Sequence, residues 1–148
     1  MSKSDDVAAY ILARMGEMTA TKLQKLLYYA QAWHMVWSDG APLFDDEIQA
    51  WANGPVVRSV YAKHRLQFTV TDWPYGDASQ LSPEERENID IVLKFYGDRP
   101  GHELSELTHR EDPWLRTRDG LAPGERSMRE ISRQSIYEYY DGLTGTAD

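Results

Sequence analysis

The stretch from Thr19 to Ser38 constrains this chain more than any other. Leu23, Leu26, Leu27, Ala30, Trp33 and Trp37 recur at helical spacing, while Tyr28, Tyr29, Ala32, Met35 and Val36 fill much of the remaining circumference. A helix with so little polar surface must be covered by neighbours on several sides. The segment is therefore read as a central helix around which the rest of the chain packs, with Gly40 and Pro42 as its stop signals.

The surrounding elements follow from capping and periodicity. Ser4 is expected to cap a first helix whose Val7, Ala8, Ile11, Leu12 and Met15 share one face, with Gly16 ending it. Glu47 to Trp51 alternates polar and apolar types like a short half-buried strand, and Asn53-Gly54-Pro55 breaks it. Pro55 is expected to open a helix that turns Val56, Val57, Val60, Tyr61 and His64 inward. Phe68 to Trp73 reads as a second strand, ended by Pro74 and Gly76. Ser82-Pro83-Glu84-Glu85 is a capping box before Ile89, Val92, Leu93 and Tyr96, and Gly97 closes that helix. Leu104 and Leu107 mark a short helix, and Asp112-Pro113-Trp114 begins another that stops at Gly120. Ser127 to Ile131 reads as a third strand. Ser132 caps the last helix, with Ile131 and Ile136 spaced as a hydrophobic staple and Gly142 as its expected end. The predicted fold is α+β, predominantly α-helical, with helices around one buried central helix and a small antiparallel sheet of two or three short strands. One domain is expected over residues 1–143, with residues 144–148 as a disordered tail.

Composition excludes several function classes. The chain has 148 residues and no cysteine, which suits one hydrophobic core without disulfide staples. Sixteen basic and twenty-four acidic residues give a net charge of −8, which opposes docking on phosphate backbones or anionic lipid. The excess concentrates between residues 82 and 112, where nine acids face four bases. No stretch approaches the roughly 20 apolar residues of a membrane span, and no apolar leader is seen, so a cytoplasmic protein is expected.

Several of these residues together carry a resemblance. Lys22-Leu23-Gln24-Lys25-Leu26-Leu27-Tyr28-Tyr29-Ala30-Gln31-Ala32, Pro42-Leu43-Phe44, and Ala50-Trp51 with Gly54-Pro55-Val56 resemble the signature of the Panacea domain, the SocA-like antitoxin family. Ile89 to Tyr96, Glu103-Leu104-Ser105, Thr108-His109 and Pro113-Trp114 are similar to its second half, so the resemblance spans about residues 5 to 142. It implies the antitoxin of a bacterial or phage type II toxin–antitoxin system. Such an antitoxin neutralises a cognate toxin, encoded beside it in the genome, by direct protein contact. In some family members a protease is a further partner.

The residues themselves offer little chemistry. His102, Glu106 and His109 lie at i, i+4 and i+7, a spacing that would place three zinc ligands on one helical face, but Pro100, Gly101 and Pro113 crowd the segment. No nucleophile elbow, phosphate loop or His-Glu-x-x-His motif occurs. Asp45-Asp46-Glu47 reads as a solvated acidic loop. The first two helices have helix-turn-helix spacing, yet Leu26, Leu27, Trp33 and Trp37 stand where a recognition helix should expose donors to base edges. The reading is a non-enzymatic binding protein with no cofactor or metal; a DNA-binding autorepressor and a metal-dependent enzyme stay open as alternatives.

Five residues are candidates for contact with the partner. Gln24, Tyr28 and Gln31 share one side of the central helix, and Trp51 and Asn53 lie at the break after the first strand. Buried, they would form a hydrogen-bond network that holds the strand end on the helix; exposed, they would form part of a toxin-facing patch.

Overall fold

A computed structural model describes residues 3–145. Its centre is helix α2 (Ala20–Trp37), in which Leu23, Leu26, Leu27, Tyr29 and Ala32 are inaccessible to solvent. The Thr19 hydroxyl accepts from the Lys22 N–H at 3.1 Å and so caps the helix where the sequence places its start. Helices α1 (Lys3–Met15), α4 (Pro83–Tyr96), α5 (Gly101–His109) and α7 (Arg133–Gly145) pack around it, with α3 (Arg58–His64) and α6 (Asp112–Thr117) completing the helical set among the described residues. The expectation of a mostly helical domain around one interior helix holds.

The capping box of α4 forms in full: Ser82 Oγ accepts from the Glu85 N–H at 3.1 Å, and Glu85 accepts from the Ser82 N–H at 2.8 Å. Ser132 Oγ likewise accepts from the Ser135 N–H at 3.1 Å, with Ile131 and Ile136 both buried as the staple requires. Helix α7 passes through Gly142 and ends at Gly145, taking in the first two residues of the expected tail, while residues 146–148 lie outside the described part. At the other end, α1 is already helical at Lys3, so Ser4 sits in its first turn instead of capping it. Asp5 and Asp6, beside it, tie down a distant loop. Asp5 accepts from the Trp73 indole at 2.9 Å and pairs with Lys63, and Asp6 accepts from the Asp77 N–H at 2.8 Å.

The strands depart most from expectation. They form two separate two-stranded ladders instead of one sheet. In the first, β1 (Met18–Thr19) pairs antiparallel with β4 (Thr69–Val70), all that forms of the strand expected over Phe68 to Trp73. Only four residues, Gly16 to Thr19, separate α1 from α2, which leaves the ladder little room to lengthen. In the second, β2 (Ile48–Trp51) and β3 (Gly54–Val57) make a hairpin closed by Ala52 and Asn53. Pro55 therefore lies in a strand and does not open a helix; α3 starts three residues later. Its register partner is Ala50, whose N–H turns away to the Arg129 carbonyl at 2.8 Å, so the missing Pro55 N–H costs the ladder nothing. The third expected strand, Ser127 to Ile131, shrinks to one bridge, Gln49 to Glu130, before α7 begins.

Candidate functional site

The polar side chains of α2 serve backbone groups that the hairpin and the loop before it leave unpaired. Gln24 Oε1 accepts from the Val57 N–H at 2.8 Å, and its Nε2 lies 3.3 Å from the Val57 carbonyl, so one amide satisfies both groups of a single strand residue. Gln31, seven residues on, repeats the device: its oxygen accepts from Leu43 and Phe44 N–H at 2.7 and 3.2 Å, and its nitrogen donates to the Phe44 carbonyl at 2.8 Å. Both glutamines are buried, as such pairings require.

Between them, the Lys25 ammonium donates to the Pro55 carbonyl at 3.0 Å from a fully buried position, and burial lowers its pKa from 10.5 to about 7. The approach is close because position 54 is glycine. A Cβ there would stand 2.6 Å from Lys25 Cε and 3.2 Å from Thr108 Oγ1, and Gly54 adopts φ +129°, where side chains are strained. From the opposite direction, Trp114 donates its indole N–H to the Trp51 carbonyl at 2.8 Å, and Arg118 donates to the Ala50 carbonyl at 3.0 Å. His109 stacks on Trp114 with ring centres 4.1 Å apart. Scattered motif residues thus converge on one hairpin and hold its turn rigidly.

Tyr28 belongs to a different interior cluster. The Tyr29 and Tyr140 hydroxyls donate to the buried Glu111 carboxylate at 2.7 and 2.8 Å, and the Tyr28 hydroxyl lies 3.1 Å from that of Tyr140. Burial raises the Glu111 pKa, and the two donated hydrogen bonds oppose that rise. Of the five candidate residues, Gln24, Tyr28 and Gln31 are interior, Trp51 is half-buried with its ring against Tyr61 at 4.6 Å, and Asn53 is exposed at the tip of the turn.

Gln24, Trp51 and Asn53 nevertheless share one feature. They line a groove of about 600 Å³ between the start of α2, the hairpin turn, α3 and the loop at residues 126–128. Its floor is polar: His64 Nε2 sits 2.9 Å from Gln24 Nε2, which makes the histidine the acceptor and hence neutral, and burial lowers its pKa. Its rim is apolar. Phe68 is 82% exposed and Met128 63%, although the Phe68 carbonyl is fixed by the Ala20 N–H at 2.9 Å. The charged residues lining the groove are Lys25, Arg65 and Arg126, with no carboxylate among them. Sequence reasoning missed this rim because nothing local distinguishes an exposed Phe68 from a strand residue facing the core. The Lys25 and Glu111 roles were missed for a similar reason, since their partners lie far along the chain.

A second depression, of about 220 Å³, lies where the end of α2 meets α4, walled by Trp33, Trp37, Ile91, Phe95 and Tyr96 and almost wholly apolar. The other residues with potential chemistry are engaged elsewhere. His34 Nδ1 lies 3.0 Å from the Asn88 amide, Asp45 pairs with Arg133 at 3.0 Å, and Asp46 accepts from Ser59 at 2.6 Å. Among the described residues no group of three His, Asp or Glu is placed to hold a metal ion, and no helix is long and apolar enough to cross a membrane. Helix α2 lies inside the protein, so it is not presented as a recognition helix.

The model of one protein family, described as antitoxin SocA-like, Panacea domain, matches residues 23–115. The match is narrower than the resemblance over residues 5 to 142; it runs from α2 into α6 and takes in the whole hairpin. No curated protein and no solved structure matches the chain.

Proposed function

The chain belongs to the SocA-like antitoxin family with its Panacea domain, and from that membership we propose that it neutralises a cognate protein toxin by direct, stoichiometric contact, as the antitoxin of a type II system acting in the cytoplasm. The observation that carries this reading is the rim of the groove: Phe68 and Met128 stand exposed beside a hairpin whose backbone is tied down from two sides. Large apolar side chains on a rigid support are what a protein interface uses as anchors, because little ordering entropy is lost on binding. Trp51 and Asn53 belong to the same surface and Gln24 fixes it from beneath through Val57, whereas Tyr28 and Gln31 serve interior contacts elsewhere along α2.

Neutralisation by this surface requires no bond to be made or broken. The antitoxin occludes the toxin's working region or holds it in an inactive conformation, and affinity comes from a few buried anchors. The test is co-expression with the product of the adjacent open reading frame. The wild-type chain is expected to restore growth and to co-purify with that product at a fixed ratio. Phe68→Ser should weaken the complex by about ten- to a hundredfold, the loss expected when one aromatic anchor worth roughly 1.5–3 kcal/mol is removed. Growth restored without any complex would refute neutralisation by contact.

A further inference from the structure

The charge inside the groove contradicts the charge of the molecule. The chain carries a net −8, yet the exposed charged residues lining the groove are Arg65 and Arg126, with no carboxylate beside them. Ala20 and Thr21, in the first turn of the 18-residue α2, also line it, and that turn holds no acid to offset the positive end of the helix. Arg65 and Arg126 are both exposed, one at the end of α3 and the other on the loop before α7, so they face the groove from two different elements. Trp51, Tyr61, Phe68 and Met128 place aromatic and sulfur-bearing surface beside them. A folded protein concentrates cations against its own net charge where an anionic group is to be met, and places exposed aromatics beside them where that group arrives with apolar neighbours.

We propose that this groove receives an extended segment of the toxin in which carboxylates flank a large apolar side chain, the carboxylates pairing with Arg65 and Arg126 and the apolar group packing against Phe68 and Trp51. The inference rests on the antitoxin reading and deepens it by naming the chemistry of the partner. A volume of about 600 Å³ fits a few residues of extended chain, and bidentate guanidinium–carboxylate pairing would fix their direction. The acid-rich surface at residues 82–112 of a second copy is the competing occupant. It is disfavoured because Glu85 there already pairs with Lys3 at 2.6 Å and Asp90 with Arg14 at 3.3 Å.

The experiment uses the full chain and the product of the adjacent open reading frame. Binding is measured by calorimetry at two salt concentrations for the wild type, for Arg65→Glu/Arg126→Glu, and for Lys94→Glu/Arg99→Glu, which makes the same charge change away from the groove. Overlapping synthetic peptides covering the toxin are then tested as competitors. The groove pair is expected to lose at least thirtyfold in affinity and most of the salt dependence, the remote pair less than threefold, and one acidic, apolar peptide should compete with the whole toxin only when both arginines are present. Equal losses in the two pairs, or no competing peptide, would overturn the assignment while leaving neutralisation intact. Self-association of the antitoxin that the groove pair abolishes would assign the groove to a second copy and equally overturn it. A wild-type chain that neither binds nor neutralises removes the antitoxin reading, and this inference with it.

Discussion

The two ends of α2 present opposite solutions to the same problem. Near its start the helix uses polar side chains, Gln24 and Lys25, to complete the backbone of a hairpin, and the adjoining groove has a hydrogen-bonded floor and cationic walls. Near its end the helix offers Trp33 and Trp37, and the depression they share with α4 is almost wholly apolar. Geometry at the first end is specified by directional bonds, since a buried N–H or carbonyl tolerates no partner but the right one. At the second end, contacts such as the stack of Trp33 on Trp37, with centres 5.7 Å apart, can adjust to a change in side-chain shape at modest cost. Substitutions should therefore have sharply unequal effects at the two ends.

The largest expected effect is at the polar end. Gln24→Leu keeps the volume close but orphans the Val57 N–H and carbonyl, and should cost about 2–5 kcal/mol in a urea unfolding series. Phe95→Ala at the apolar end, where the ring is 68% exposed, should cost under about 0.5 kcal/mol; similar losses for the two variants would erase the contrast.

Lys25 sharpens the comparison through pH. Between its folded value of about 7 and the ordinary 10.5, the unfolded chain holds a proton that the folded chain does not, so stability must rise with pH across that window. Lys25→Met should flatten this rise in thermal melts taken from pH 7 to 10, and a slope that survives the substitution would assign it to other groups.

Glu111 gives a smaller effect of opposite sign. Its folded pKa is raised, so the folded chain binds a proton first, and stability falls as pH climbs from the ordinary carboxylate range through the raised value. His34, His64 and His109, all lowered by burial, instead withdraw stability as pH drops below about 6.5. Glu111→Gln preserves an acceptor for Tyr29 and Tyr140, and should remove that fall while leaving the acid-side losses that come from the histidines and from Glu85 and Asp77, whose pKa values are lowered. The smallest effect concerns encounter rate: reversing Glu84, Glu87 and Asp98, all exposed around α4, should change the association rate with toxin by no more than about threefold at low salt and leave dissociation unaltered.

Legibility followed the range of the interactions involved. The start of α2 at Thr19, the Ser82–Glu85 box and the Ile131–Ile136 staple depend on residues three to five apart, and all were readable from local spacing. Pro55 was not, because a residue without an N–H suits the first turn of a helix and the non-bonded side of a strand equally. What decides between them is Gln24, which holds both backbone groups of Val57 from thirty-three residues upstream of it. The candidate site divides in the same manner. Gln24 and Gln31 were recognisable as polar groups on one helical face that need partners, but which backbone they complete is a tertiary fact. Phe68 looked like an ordinary strand residue because sequence carries no mark of which apolar side chain is left in water.

Gln24 does one further thing by occupying both polar groups of Val57. It stands where the main chain of a neighbouring strand would stand, and with Lys25 on Pro55 it seals the outer margin of the hairpin. An open margin would invite any unfolded polypeptide to extend the ladder. With that margin closed by a helix, residues at the turn and along the loops can diverge to suit new partners without exposing the protein to aggregation.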